Sequence, residues 1–210
     1  MAQVSRRQRA KQSKIQNRIR NHRKQQQTNN LAKSVLKWND PVLSSVCDEV
    51  SPTEDIKADV EKIVAVLDAS KDGVGLAAPQ VGIKKRIVAI KFFRGAAVEV
   101  FVNPVIVDNG KDKRRAIEGC LSYPGVYVPV ERYRKVKVEW RNLAGETESR
   151  WFFDRDAICI QHEIDHTLGI CLVGDEWRKQ DAQRQAELKT KEEAHLHRQF
   201  ENRQRAAITV

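Results

Sequence analysis

Residues 154–169 constrain this chain more than any other stretch: Asp154-Arg155-Asp156-Ala157-Ile158-Cys159-Ile160-Gln161-His162-Glu163-Ile164-Asp165-His166-Thr167-Leu168-Gly169. Asp154 is a candidate N-cap and Gly169 a candidate C′ residue, so the segment reads as a helix with a start and a stop. Residues four apart share a helix face. Ile158, His162 and His166 therefore form one stripe, and Ile160, Ile164 and Leu168 another on nearly the opposite side. A helix apolar on both sides is buried. There, His, Glu, Asp and His each cost kilocalories unless they satisfy one another or a metal. Two imidazoles one turn apart can grip a divalent cation. Glu163, rotated by about 100° from His162, can stand beside it and take a proton from water. The competing reading of the pair alone is two satisfied core histidines.

A catalytic cation site takes three protein ligands and keeps one position open. Outside the helix the candidates are Cys120, Cys171, Cys47 and the carboxylates. After His166 the next histidine is His195, which removes the closely spaced downstream ligand of zinc proteases. Cys120 has a strand-to-turn setting that can present a thiolate. Cys159 and Cys171 read as small core residues. Four cysteines without disulfide-like density point to a reducing compartment.

The rest of the chain supplies a scaffold. Ser51-Pro52-Thr53-Glu54 has the form of a helix start. Ile56, Val60, Ile63, Val64 and Leu67 follow at helical spacing, up to a stop near Asp72-Gly73. Gly73-Val74-Gly75-Leu76-Ala77-Ala78-Pro79-Gln80 is too apolar for a linker and too rich in Gly for a helix; a packed turn and a substrate-facing loop fit it equally. Residues 86–90 and 98–102 read as strands, with Asn103-Pro104 as a break before 105–107. Residues 115–117 lead into Glu118-Gly119-Cys120-Leu121-Ser122, and Tyr123-Pro124-Gly125 turns the chain. Val136, Val138 and Trp140 alternate with polar residues as a half-buried strand. Asn142-Leu143-Ala144-Gly145 then makes a hairpin to 148–153. The class is α+β, with antiparallel sheets around the central buried histidine helix.

Charge divides the chain into three parts: a basic, flexible arm over 1–37, a catalytic domain over 38–174 and a charged C-terminal helix over 175–210. Residues 1–37 contain eleven Lys or Arg and no acid, whereas 38–210 contain twenty-seven against twenty-eight. The net charge of +10 therefore belongs to the arm. Such an arm can bind RNA phosphates by counterion release; a solvated tail and an organelle transit peptide are its other readings. Residues 175–210 have high helix propensity but nearly balanced charge, eight basic against seven acidic. His195 and His197 within them read as surface residues. No run approaches the ~20 apolar residues of a membrane span, and the expected localisation is the cytoplasm.

Three stretches in register, Gly73-Val74-Gly75-Leu76-Ala77-Ala78-Pro79-Gln80, Glu118-Gly119-Cys120-Leu121-Ser122 and Gln161-His162-Glu163-Ile164-Asp165-His166, resemble the peptide deformylase motifs GxGLAAxQ, EGCLS and HExDH. The resemblance covers roughly residues 38–175. It implies a monomeric α+β metallohydrolase that removes the formyl group from the initiator methionine of nascent chains, with transient ribosome contact. By resemblance, Cys120, His162 and His166 are the metal ligands and Glu163 the general base and acid. Gln80 and the Leu121 N–H hold the oxyanion. Gly75 pairs with the peptide backbone, and Val74, Glu118, Ile158, Cys159 and His162 surround the methionine side chain. The implied ion is Fe²⁺, with Zn²⁺ or Ni²⁺ as alternatives. A catalytically weak homologue serving as an RNA- or ribosome-binding protein is the other function. The chain departs from the family pattern at Arg155-Asp156, usually an apolar pair, and at Gly125-Val126-Tyr127, where an Arg is usual.

Overall fold

The computed structural model describes residues 6–93, 96–174 and Thr190. Residues Met1–Leu172 form one compact unit and Val173–Val210 a second, and the elements below belong to the first. The C-terminal helix expected over 175–210, with His195 and His197, lies outside the described residues apart from Thr190.

The basic segment forms a helix, α1 (Arg6–Lys33). Its last turn is tied down: Leu31 packs against the core cluster that includes Val35, Ile63 and Leu76. Over Arg6–Lys33 the expected arm is thus helical, and its last turn is rooted in the catalytic unit. Helix α2 (Lys57–Ala69) starts later and stops earlier than the sequence signals suggest. Ser51-Pro52-Thr53-Glu54 makes a separate turn, in which the Ser51 N–H donates to Glu54 Oε2 at 3.2 Å. Asp55 Oδ1 instead accepts from the Lys57 N–H at 3.0 Å, satisfying one of the helix's orphan donors. Ile63, Val66 and Leu67 form the buried face.

A five-stranded antiparallel sheet runs β1-β2-β3-β6-β7, made of β1 (Gly75–Ala77), β2 (Ile87–Ile90), β3 (Glu99–Asn109), β6 (Lys135–Arg141) and β7 (Thr147–Phe153). Strands β4 (Lys113–Cys120) and β5 (Tyr123–Tyr133) pair separately as a two-stranded sheet. Asn103-Pro104 is not a break but a bulge within β3, where the register against β6 shifts between Val102 and Val105. A bulge keeps the ladder while bending it. Similarly, the chain reverses at Leu121-Ser122, before the expected turn. Gly119 pairs with Tyr127 but Cys120 with Tyr123, so Pro124, Gly125 and Val126 bulge out of β5. Val136, Val138 and Trp140 are buried as their alternation requires. They join Phe101, Phe152, Ala157, Ile160 and Ile164 in a second core cluster.

That cluster fixes α3 (Asp154–Thr167), the histidine helix. The N-cap is Phe153; Asp154 is the first helical residue, at φ +45°, with its carboxylate on Arg134. Gly169 does close the helix, at φ +72°. Its N–H donates to His166 O at 3.3 Å and that of Ile170 to Asp165 O at 2.9 Å, the reciprocal pair of a Schellman cap. Ile160 and Ile164 are buried on the sheet side, whereas Leu168 is 39% exposed and does not complete the second stripe.

Candidate active site

The histidine stripe of α3 faces away from the large sheet, toward the β4–β5 turn, and Cys120 sits at the end of β4. Ligand atoms of Cys120, His162 and His166 lie within 4.8 Å of one another, with Cys120 Sγ 3.2 Å from His166 Nε2. Among the described residues these three form the candidate metal group; Cys47, Cys159 and Cys171 are free thiols elsewhere. Burial pushes the Cys47 thiol up to about 11 and that of Cys159 well above its ordinary value, as expected of thiols held protonated in apolar surroundings.

The donor set fits a cation. Burial holds His166 well below its ordinary pKa, hence neutral, as a ligand must be. For His162 burial acts in the same direction, but hydrogen bonds with Cys120 and Glu118 outweigh it and lift the ring to about 10. His162 Nδ1 lies 2.9 Å from Glu118 Oε2, which turns Nε2 toward Cys120. Arg132 in turn clamps Glu118, Nε to Oε1 at 2.8 Å and Nη2 to Oε2 at 3.0 Å, and reaches Asp165 with Nη1. This outer layer fixes the tautomer and orientation of a ligating imidazole.

Glu163 is 4% exposed, and its Oε2 has no hydrogen-bond partner. Burial pushes its carboxyl up to about 7, His162 opposing. An orphaned buried carboxylate oxygen beside three convergent ligands is the mark of a group that completes its contacts only with substrate or water. Gln80 lines the same cleft. Its Oε1 accepts from the Ala77 N–H at 2.8 Å, which fixes the amide so that Nε2 donates to Ser122 Oγ at 3.1 Å and toward Cys120 Sγ at 3.4 Å.

These groups line a cleft of about 770 Å³. Val74, Gly75, Glu118, Leu121, Ile158 and Cys159, all expected from the sequence, are on its walls with Gln80, Cys120, His162 and Glu163. The family profile of polypeptide deformylase matches residues 32–182. The chain belongs to the peptide deformylase family. Its relatives include peptide deformylase of Finegoldia magna, 41% identical over 133 residues, which are 63% of this chain and 82% of that protein. Among solved structures, the enzyme of a Vibrio parahaemolyticus bacteriophage, in complex with actinonin, is 35% identical with a TM-score of 0.61, covering 66% of this chain and 98% of that one. The Plasmodium falciparum peptide deformylase is 30% identical with a TM-score of 0.64, covering 76% and 97%.

The chain is a hydrolase that removes the formyl group from N-terminal methionine, in a metal-dependent family, and nothing in its relatives supports the weak-homologue alternative. The two departures are also placed. Arg155 is exposed at the mouth of the cleft, one turn before Ile158 and Cys159. Asp156 is half-buried, its carboxyl raised by burial. The Tyr127 ring covers Gly119 so closely that a Cβ there would meet Cε1 at 2.8 Å. Sequence reasoning missed Arg132 and Ser122. The buried Glu118 could have signalled a cation partner, but nothing local marks Arg132, the one basic residue of β5, as that partner.

Proposed function

We propose that Glu163 carries the proton in deformylation while Gln80 and Leu121 hold the oxygen of the formyl group, on a site completed by Cys120, His162 and His166. The observation that supports this most is the buried, unpartnered Oε2 of Glu163 beside the three ligand atoms. A divalent cation, when bound there, supplies Lewis acidity and a water of lowered pKa. Glu163 accepts the proton of the attacking water; a carboxyl poised near neutrality can both take a proton and return it. It then delivers that proton to the departing amine as the carbon–nitrogen bond breaks and formate leaves. The Gln80 Nε2 donor and the Leu121 N–H are aimed at the developing oxyanion.

Substrate contacts follow from the walls. β1 is an edge strand of its sheet, so Gly75 offers its backbone to an extended peptide. Val74, Ile158 and Cys159, with Glu118 and His162 at the base, enclose an apolar slot for an unbranched thioether. The thiolate and imidazole set suits Fe²⁺, with Zn²⁺ and Ni²⁺ also accommodated. A monomer in a reducing cytosol, meeting nascent chains at the ribosome, is the working context; free cysteines suit it.

The test is hydrolysis of a formyl-methionyl peptide by anaerobically prepared, Fe²⁺-loaded protein. Turnover is expected to vanish in Glu163→Ala and after chelation, with the ion still bound in the former. Turnover that survived Glu163→Ala would remove Glu163 from its role.

A further inference from the structure

Helix α1 carries ten Lys or Arg and no Asp or Glu, whereas residues 38–210 are close to neutral. Lys14, Arg18, Arg20 and Arg23 are exposed. Among the described residues no salt bridge engages any of them. We infer that α1 is a docking surface for structured RNA, rooted at the mouth of the catalytic cleft.

Three observations choose this partner. A helix that lies on a membrane needs a broad apolar face. Between Lys14 and Asn30 the only large apolar residues are Ile15 and Ile19, and the rest are basic, Gln, Asn, His or Thr. The charge also encircles the helix, since Arg18 and Arg20 point about 200° apart at 100° per residue. A flat acidic protein face would meet one side of such a cylinder; a groove walled by phosphates meets both. Gln and Asn amides between the charges can bond phosphate and ribose oxygens.

The root of α1 gives the surface its use. Ala32 and Val35 line the cleft. The Leu36 N–H donates to Gln80 O at 2.8 Å and the Trp38 N–H to Ser122 O at 3.1 Å. Residues 36–38 therefore bridge the two loops that present Gln80 and Leu121. An α-helix of this length extends about 40 Å. RNA gripped along it stands in a fixed relation to the cleft, which rests on the reading that the substrate is a newly made polypeptide emerging from an RNA-rich machine.

The test uses the full-length holoenzyme and the variant K14Q/R18Q/R20Q/R23Q; Gln keeps helix propensity and none of the four touches the cleft. Anisotropy of a fluorescent RNA hairpin, titrated from about 50 to about 200 mM salt, is expected to show affinity at least ~10-fold weaker in the variant, with a salt slope shallower by up to about 3.6. Hydrolysis of a free formyl-methionyl peptide is expected to be unchanged. An inactive wild type would instead refute the catalytic reading and leave the RNA result standing. RNA affinity unaltered by the four substitutions, or tighter α1-dependent binding to phosphatidylserine vesicles than to RNA, overturns the inference.

Discussion

The Glu163 carboxylate lies directly against the α-carbon of Gly75: a methyl group built there would sit 2.2 Å from Oε1 and 2.7 Å from the carboxyl carbon. The edge strand β1 thus packs on α3 at the side chain proposed to carry the proton. Gly75 has no unusual φ, so the requirement for glycine is steric. Alanine would push the carboxylate away from the ligand atoms. Gly75→Ala is expected to lower kcat/KM by roughly 10²–10⁴, the usual contribution of a positioned acid–base group, at a stability cost of about 1–3 kcal/mol for overpacking. Adding Glu163→Ala to Gly75→Ala should then cost little more, because the two act as a unit. Additive losses in the double variant would show that Gly75 acts otherwise.

Arg132 bears on acid stability. Burial alone would raise the Glu118 carboxyl, but hydrogen bonds from His162 and Arg132 outweigh it and bring it down to about 2. A depressed folded-state pKa means stabilisation that is complete above the unfolded value of about 4.5 and lost as pH falls toward 2. Arg132→Met leaves the buried carboxylate with His162 as its remaining charged partner, at an expected cost of up to about 3–5 kcal/mol near neutral pH. In urea unfolding of metal-free protein, the gap between wild type and variant should narrow as pH falls from about 4.5 to 2. A gap constant with pH would mean that the cost of Arg132→Met is lost packing. Metal affinity of any folded fraction should fall about 10–100-fold, as for other orienting partners of ligating histidines.

The parts of the fold that were legible in the sequence are those whose signal is local and periodic. The α3 stripe and the Val136, Val138, Trp140 alternation were readable because one element decides which face is buried. Cys120 and His166 meet across 46 residues, and no spacing rule joins them; the residues themselves left Cys47, Cys120 and Cys171 open until the family motifs chose. Arg132 was invisible for the same reason, since its partners Glu118 and Asp165 come from another strand and a helix. Boundary signals misled where a tertiary contact won. Ser51-Pro52-Thr53-Glu54 made a turn of its own, and Asp154 turned to Arg134 instead of capping α3.

Asn103 shows the same competition in reverse, and it can be tested. At φ +51° it holds the β3 bulge. Its Oδ1 accepts from the Val50 N–H at 2.8 Å, and its Nδ2 donates to Val50 O at 2.9 Å. Asn103→Ala loses two hydrogen bonds of about 1 kcal/mol each and places a methyl-bearing residue in the left-handed region, about 1–2 kcal/mol more. The expected loss is roughly 3–4 kcal/mol in chemical denaturation. Asn103→Gly should recover the torsional part. No residue of β3 lines the cleft, so kcat/KM per folded molecule should be unchanged in both variants.

Gln80 separates electrostatic from steric demands at the oxyanion. It is 2% exposed, and the Ala77 N–H requires an acceptor at Oε1, which leaves Nε2 as the donor facing Ser122 and Cys120. Gln80→Glu keeps the shape and the Ala77 contact but replaces that donor with a carboxylate oxygen, which repels both a thiolate and a forming oxyanion. The expected fall in kcat is about 10²–10³, the cost of losing one preorganised donor, with KM changed less, because the lost bond strengthens only as charge develops. Gln80→Leu removes the donor without adding charge and strands the buried Ala77 N–H, so it should cost stability of about 1–3 kcal/mol yet retain more activity than Gln80→Glu. If the two variants lost the same kcat, the added negative charge would contribute nothing and the donor alone would account for the role of Gln80.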